Sequence, residues 1–243
     1  DLPSQELVAH IPLLLHPDPE SCLVVGLASG ISLGSAGRHP LKRMDCVEIV
    51  PSMVEAARFF DAYNYRILDD PRVRLIIGDG RNHLALTDRK YDVIVSEPSN
   101  PYIAGVADLF TREYFQLCRD RLTDRGVAAA WMQAYLIDLT SFSSIVRAFQ
   151  SVFPEMTLWK TAKGDCIMVG SRAPLQVDFN TLQKKLRQKR VAEDLARINI
   201  RGMEDFLAHL VMGKGGVGRF AHDAVIHTDD NALVEFAAPR GLT

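Results

Sequence analysis

The chain has 243 residues, of which 47% are hydrophobic and 24% charged, and its formal net charge is -2. This length provides one large domain with a sizeable core, and the composition excludes an intrinsically disordered chain. A near-neutral charge argues against nucleic-acid binding, which requires an excess of basic residues. No apolar run reaches the roughly 18 to 20 residues that cross a bilayer. We therefore expect a small-molecule partner and no membrane contact by this chain itself.

Short β-branched runs alternate with helical patterns through the first two thirds of the chain. The strand-like runs start at Cys22, Met44, Val73, Tyr91, Gly126, Met156 and Cys166, and helices are predicted at 52–63, 81–86, 107–122 and 139–153. This alternation predicts a doubly wound α/β sheet that is parallel through its first five strands. The connection from Thr161 to Asp165 is too short for a parallel crossover, so the last strand runs antiparallel. Seven strands in this pattern are typical of the S-adenosylmethionine-dependent methyltransferase fold class.

The chain changes character after Pro174. Residues 1–173 are predicted to form a nucleoside-binding α/β domain, with residues 1–20 as a lead-in segment. Residues 174–243 are predicted to form a helical cap and tail on the same domain, because a piece of this size has a thin core of its own. Within this cap we expect helices at 179–195 and 202–211 and a mobile loop at the glycine-rich GKGGVGRF.

A glycine turn follows the first strand and suits a ligand. Gly26 and Gly30 in GLASGIS allow a tight turn and close backbone approach at the start of the next helix. Glu48 ends the second strand, 18 residues past Gly30, where a carboxylate can accept both hydroxyls of a ribose. A nicotinamide dinucleotide is disfavoured, because the third glycine of its fingerprint would fall at Ile31.

Two further acids end the third and fourth strands. Asp79 is placed to accept from an exocyclic adenine amine, Gly80 exposes a backbone N–H, and Glu97 lies within SEPSNPY. Each acid alone is more simply interpreted as a helix N-cap. Because the carboxyl ends of parallel strands share one edge of the sheet, the three acids together indicate an adenosine site there.

At these residues the sequence resembles the spermidine synthases, the polyamine aminopropyltransferases. The resemblance runs from about Gln5 to Gly170 and rests on CLVVGLASG, VEIV, RVRLIIGDGRNHL, YDVIVSEPSNP and LFTREYFQL. It is strongest to a bacterial branch in which such a domain is fused behind membrane-spanning segments. The start at Asp1 without Met fits that branch. We expect a cytoplasmic domain, on the cytoplasmic face of a membrane if such segments precede it, and the resemblance allows a homodimer.

The resemblance also implies roles for single residues. Glu48 matches the ribose-binding glutamate, and Asp79 with Gly80 matches the adenine-binding pair. Gln5 matches a donor-binding position. Glu97 stands at the catalytic aspartate, which deprotonates the attacking amine. The donor would be decarboxylated S-adenosylmethionine or S-adenosylmethionine, the partner a small amine acceptor, and no metal is expected.

The departures from the family concentrate where it recognises cations. Ser29 replaces an aspartate that holds the donor's ammonium, and Asn100, next to Ser99 in the acceptor-binding loop, replaces one that grips the acceptor. Further departures are Ser4 in place of a tyrosine, Ala104 in place of a proline, and Lys160 and Lys163 in place of a tyrosine-bearing loop. The residues that match the family's adenosine site are therefore retained, and the identity of the acceptor stays open.

Three functions are compatible with these residues. The first is transfer of an aminopropyl group to an amine, with Glu97 as general base. The second is methyl transfer, in which Ser29 and the adjacent helix start receive the carboxylate of the intact donor. The third is a non-catalytic nucleoside-binding sensor that regulates an attached membrane segment.

Overall fold

A computed structural model describes residues 2–103, 105–161 and 164–237. The first half contains α1 (Leu2–Leu15), β1 (Ser21–Val25), α2 (Ile31–Gly37), β2 (Arg43–Glu48), α3 (Met53–Arg58), α4 (Asp61–Asn64), β3 (Val73–Ile77), α5 (Gly80–Leu86) and β4 (Tyr91–Ser96). The second half contains α6 (Arg112–Asp120), β5 (Leu122–Gln133), α7 (Leu139–Val152), β6 (Thr157–Lys160), β7 (Asp165–Ser171), α8 (Phe179–Leu186), α9 (Lys189–Ala196), α10 (Met203–Leu207), β8 (Leu210–Met212), α11 (Lys214–Phe220) and α12 (Leu233–Ala237). Short 3-10 helices lie at Ile67–Asp69 and Ala107–Phe110.

The strands form one mixed sheet in the order β3-β2-β1-β4-β5-β7-β6-β8. Strands β1 to β5 pair in parallel, and β7 lies antiparallel between β5 and β6. The predicted doubly wound sheet and its terminal hairpin are thus confirmed. The predicted count of seven strands is wrong, because β8 adds an eighth strand that pairs antiparallel with β6.

The sheet is covered on both faces, so its central strands read as continuous apolar runs. In β1, Cys22 and Val24 face one core cluster with α1, α2, α3, α8, α9 and α10, whereas Leu23 and Val25 face a second cluster with α5, α6, α7, α11 and α12. Strands β1 and β4 pair in parallel, so their carboxyl ends meet at one edge of the sheet.

The lead-in segment contains a helix, α1, that was not predicted from the sequence. In α1, Leu7 and Ile11 are fully buried, and the helix packs against α2 and β5. Its amphipathic pattern is weak because nearly every side chain after Gln5 is buried. The helix brings Gln5 to the glycine turn, where the Ser29 hydroxyl donates to its side chain.

The C-terminal part differs from its prediction in three places. The segment predicted as one helix at 179–195 forms two helices, α8 and α9. The helix predicted at 202–211 ends early, because its last residues pair with β6 and form the strand β8. The mobile loop predicted at GKGGVGRF is wrong, since this segment forms α11. Burial of Val217 and Ala221 in the second core cluster offsets the cost of about 1 kcal/mol for each helical glycine. Across the described ranges, the helices lack the combination of length and apolarity needed to cross a membrane.

Candidate functional site

The glycine turn after β1 packs tightly against the end of β4. Gly26 has a φ of 96°, and a Cβ there would lie 2.7 Å from the carbonyl oxygen of Glu97. Gly30 has a φ of 75° at the start of α2, where a Cβ would lie 3.0 Å from Nδ2 of Asn64. Both positions therefore require glycine. The turn lies where the strand order reverses between β1 and β4, which is where open α/β sheets bind ligands.

Glu48, the last residue of β2, has its carboxylate fixed by backbone donors. Leu27 N–H donates to Oε2 at 2.8 Å and Val50 N–H donates to Oε1 at 2.9 Å. The side chain is buried against the glycine turn. Each oxygen has a further lone pair for a ligand, so two adjacent hydroxyls can bind there without a rearrangement of the side chain.

Asp79 and Gly80 lie at the end of β3. Asp79 caps α5, because its Oδ1 accepts the N–H of Asn82 at 2.7 Å. The N-cap role that the sequence also allows is therefore present, and Oδ2 has no hydrogen-bond partner among the described residues. Gly80 opens α5 so close to β1 that a Cβ would lie 2.4 Å from Cγ1 of Val25. Close packing here requires glycine.

A cavity of about 230 Å³ connects these groups. Its polar lining includes Glu48, Asp79 and Glu97, and its apolar lining includes Ile49, Val50, Met53, Val106 and Leu109. Carboxylates at one side and aliphatic side chains around them suit a flat, nitrogen-rich ring attached to a diol. We call this space the nucleoside cleft. The sequence reading missed its apolar wall, although Ile49 and Val50 directly follow Glu48.

Glu97 follows β4 and lies where the nucleoside cleft ends. Burial raises the pKa of its carboxyl to about 7, and the hydroxyl of Ser32, which donates to Oε2, opposes that rise. A carboxyl with such a pKa exchanges protons near neutral pH. Ser32 was not identified from the sequence, although it lies in the first turn of α2, directly after the glycine turn.

A second cavity, of about 250 Å³, opens on the other side of Glu97. We call it the amine cavity, because its described lining contains two carboxylates, Glu97 and Asp165, which suit a cationic amine. It is lined by Ser4, Gln5, Ala28, Glu97, Pro98, Ser99, Asn100, Trp131, Tyr135 and Asp165. Ala28, Glu97, Pro98 and Ser99 also line the nucleoside cleft. A group bound in either space therefore meets a group bound in the other beside Glu97.

Gln5 and Ser29 contact each other at the edge of the amine cavity. The Ser29 hydroxyl donates to Oε1 of Gln5 at 2.8 Å, and Ile31 N–H donates weakly to the same hydroxyl at 3.3 Å. Ser29 is absent from the described linings of both cavities. Asn100 does line the amine cavity, and its Nδ2 donates to the hydroxyl of Tyr102 at 2.7 Å.

The amine cavity also contains residues that were not identified as site residues. Asp165 and Tyr135 lie on its wall beside Trp131. The signal for Asp165 was its position at the end of the predicted hairpin connection, directly before the strand-like run at Cys166. Lys160 is exposed and lies outside the described lining of the amine cavity, whereas Ala104 and Lys163 lie outside the described residues.

Comparisons with known proteins give one consistent result. A family model described as the spermine/spermidine synthase domain matches residues 2–163. A polyamine aminopropyltransferase of Thermotoga maritima is 30% identical over 150 residues, which are 61% of this chain and 51% of that protein. A spermidine synthase of Dictyostelium discoideum is 32% identical over 154 residues, 63% of this chain and 54% of that protein. The chain thus spans about half the length of these curated relatives.

Solved structures show the same fold. A spermidine synthase in complex with the transition state analogue AdoDATO superposes with a TM-score of 0.72 at 23% identity, covering 91% of this chain and 76% of that one. Spermidine synthase from Thermotoga maritima gives 0.69 at 24% identity, covering 91% and 75%. Human methyltransferase-like protein 13 in complex with SAH gives 0.59 at 22% identity, covering 83% and 92%.

Proposed function

Because this chain belongs to the spermine/spermidine synthase family, we propose that it is an aminopropyltransferase that moves an aminopropyl group from decarboxylated S-adenosylmethionine to an amine. The observation that carries the proposal is the position of Glu97, a carboxyl whose pKa is raised to about 7, at the junction of the two cavities. The nucleoside cleft holds the donor, the amine cavity holds the acceptor, and Glu97 is the base between them.

The donor's adenosine fits the nucleoside cleft. Its ribose hydroxyls donate to the Glu48 carboxylate, and its adenine amine donates to Asp79. Ile49 and Leu109 line the same cleft and provide aliphatic surface for the adenine ring. This fit supports the role that the resemblance gives to Gly80 beside Asp79, and it supports the glycine turn at Gly26 and Gly30 as part of the same donor site. Gln5, the donor-binding position in the resemblance, lines the amine cavity instead.

The charges favour the decarboxylated donor over the intact one. The described linings of both cavities contain acids but no lysine, arginine or histidine to pair with a donor carboxylate. The Ser29 hydroxyl, which methyl transfer would require for that carboxylate, already donates to Gln5. The carboxylate of the intact donor would lie unpaired close to Glu97, and two neighbouring negative charges repel each other. The aminopropyl donor is therefore the better fit.

The reaction needs one proton acceptor. A primary ammonium has a pKa near 10, so a positioned base removes its proton before attack. The amine nitrogen then forms a bond with the carbon beside the sulfonium, the carbon–sulfur bond breaks, and its electron pair goes to sulfur. The products are a secondary ammonium, which carries the positive charge that sulfur loses, a neutral thioether of adenosine and a protonated Glu97, which releases its proton to solvent.

The test is Glu97→Gln, with decarboxylated S-adenosylmethionine as donor and a panel of amines at saturating concentration. The amide cannot take the proton, so kcat falls about 10²- to 10⁴-fold while the nucleoside affinity is kept. Glu204→Gln, on an exposed residue of α10, is the matched control and retains full turnover. Full turnover by Glu97→Gln would overturn the assignment of the base. Product with S-adenosylmethionine alone would instead favour methyl transfer.

Three further expectations remain proposals. The family resemblance supports a cytoplasmic chain that acts as a homodimer, with membrane-spanning segments elsewhere in a longer protein. It also supports Ser99 and Asn100 as acceptor-binding residues. The division into a nucleoside-binding domain at 1–173 and a cap at 174–243 is supported by the change in composition after Pro174.

A further inference from the structure

Arg81, the residue after Gly80 in α5, joins three separate parts of the chain. Its Nη1 donates to the carbonyl of Asp108 at 2.9 Å and to Oδ1 of Asp229 at 3.0 Å, and its Nη2 donates to Oδ2 of Asp229. Two parallel hydrogen bonds between a guanidinium and a carboxylate are stronger and more directional than a single contact. The Arg81 side chain is 26% exposed, so salt screens this pair less than a fully exposed one.

The C-terminal segment that carries Asp229 is fixed to the start of α6 by further contacts. His227 is 1% exposed, and its Nε2 donates to the carbonyl of Ala107 at 3.1 Å. The carbonyl of His227 accepts the N–H of Arg112 at 3.0 Å, and the N–H of Asp229 donates to Oε2 of Glu113 at 3.0 Å. These contacts hold the Asp229 carboxylate in place against Arg81.

Both sets of contacts meet at one wall of the nucleoside cleft. Val106 and Leu109 line the cleft, and the two residues between them supply the carbonyl groups that accept from His227 and Arg81. This wall includes a short 3-10 helix, whose internal hydrogen bonds have poor geometry. Asp79, two residues before Arg81, lines the same cleft. The distance between Asp79 and this wall therefore depends on the contacts of Arg81.

We propose that Arg81 and Asp229 are positioning residues for the donor, because their pair fixes the width of the nucleoside cleft and so directs the adenine amine to Asp79. The inference rests on the proposed function for the identity of the ligand. Neither Arg81 nor Asp229 is in the described lining of the cleft, so both act through the groups that line it. A cleft that is already held at its bound width does not use binding energy to close on the ligand, and this raises its affinity.

Asp229 is charged at neutral pH, as the pair requires. Burial raises the pKa of its carboxyl, but hydrogen bonds from Arg81 and Thr111 outweigh burial and hold that pKa below its usual range. The next residue, Asp230, is exposed. The same segment therefore offers a test residue and a matched control that carry the same charge.

The test is calorimetric titration with 5′-methylthioadenosine, a thioether that fills the nucleoside cleft, and with 5′-methylthioinosine, in which a carbonyl replaces the adenine amine. Binding is measured without turnover, so this test stands apart from the test of Glu97. The wild type should bind the adenosine about ten-fold or more tightly than the inosine, because Asp79 accepts a hydrogen bond only from the amine.

Asp229→Asn replaces one carboxylate oxygen with an amide group that faces the guanidinium. Affinity for 5′-methylthioadenosine should fall about three- to thirty-fold, the range for residues that act on a site through others. The preference for adenosine over inosine should also fall, because the amine is no longer directed to Asp79. In turnover, KM for the donor should rise while kcat at saturating donor changes less than about two-fold. Asp229→Glu restores part of the affinity, and Asp230→Asn leaves it unchanged.

Arg81→Lys tests the pair from the other side, because it keeps the charge and loses the parallel hydrogen bonds. It should weaken the adenosine and lower the preference over inosine, and the double variant with Asp229→Asn should be no weaker than the stronger single effect. Wild-type affinity and preference in Arg81→Lys would overturn the proposal even if Asp229→Asn fails to fold.

Three other results decide the remaining cases. A lower unfolding free energy of Asp229→Asn with an unchanged nucleoside affinity would show that the pair only stabilises the fold, which overturns the proposal. An equal loss in Asp230→Asn would assign the effect to the charge of the segment, which also overturns it. The expected losses in a protein that transfers no aminopropyl group would keep the positioning pair and reject the proposed function.

Discussion

The nucleoside cleft and the amine cavity are built in different ways. In the cleft, Glu48 and Asp79 accept backbone N–H groups two or three residues further along the chain, at Val50 and Asn82, and Glu48 also accepts that of Leu27 in the glycine turn. In the amine cavity, Asp165 accepts the hydroxyl of Ser4, which is 161 residues away in the sequence. The cleft therefore depends on strand ends and the turns that follow them. The amine cavity depends on how α1 and the β6–β7 hairpin pack, so its specificity can change while the cleft is kept.

The largest effect that tests this difference between the two cavities is expected at Glu48. Glu48→Gln replaces one carboxylate oxygen with a donor that faces a backbone N–H, and the ribose hydroxyls lose a charged acceptor. Affinity for 5′-methylthioadenosine should fall about 100-fold, at about 1.5 to 3 kcal/mol for each hydrogen bond to a charged group. Isothermal titration calorimetry measures this loss.

The control for Glu48 is Glu55→Gln, an exposed position on the neighbouring α3, which should bind the nucleoside as the wild type does. In the Glu48 variant, the affinity for the amine acceptor should stay unchanged, because the proposed acceptor site is in the other cavity. A loss of amine affinity together with the nucleoside affinity would show that the two spaces are not independent.

The same contrast explains which parts could be predicted from the sequence. Glu48, Asp79 and Glu97 were identified because each directly ends a strand, and parallel strands bring their carboxyl ends to one edge. The α1 helix was missed because it is buried on nearly all sides and lacks a clear apolar stripe. Asp165 is not part of a sequence motif. Its neighbours in the cavity depend on the pairing of β5 with β7, which brings distant residues together.

The next effect concerns the support of the amine cavity and is expected at Glu6, next to Gln5 in α1. Burial raises the pKa of Glu6 to about 8, with Asp194 adding to the rise and Arg197 opposing it. The folded state therefore holds this proton more tightly than the unfolded state. The stability that the protonated form provides is fully present below about pH 4.5 and is lost as the pH rises to about 8, by at most about 1.4 kcal/mol per pH unit.

Urea unfolding at pH 6 and pH 8 tests this dependence. The wild type should lose about 1 to 2 kcal/mol of unfolding free energy between these pH values on account of Glu6, and Glu6→Gln should lose less, because a neutral amide does not titrate. Glu204→Gln keeps the wild-type slope. If the unfolding free energy fell equally with pH in the wild type and in Glu6→Gln, Glu6 would be ionised throughout this range. Its Oε1 would then be paired with Nε of Arg197, which is 3.2 Å away.

The smallest effect is expected at Ser32, which links α2 to the base shared by both cavities. Its hydroxyl donates to Glu97 and lowers the pKa of that carboxyl against the rise caused by burial. Ser32→Ala removes the donor, so the pKa of Glu97 rises further and more of the base is protonated at neutral pH. Because only the ionised form accepts a proton, kcat/KM at pH 7 should fall about three- to ten-fold and recover at higher pH.

A pH profile of kcat/KM distinguishes this effect from damage to the site. In the wild type the acidic limb should lie near pH 7, the pKa of Glu97, and Ser32→Ala should move it to higher pH while the plateau is kept. Ser143→Ala, at a half-buried serine of α7 whose hydroxyl donates to the carbonyl of Thr140, leaves the limb in place. A lower plateau with an unmoved limb would show that Ser32 positions Glu97 rather than tuning its charge. In that case the contact with α2 would set the position of the Glu97 carboxyl, and burial alone would set its pKa. Ser32 would then act on the place where the two cavities meet through geometry and not through charge.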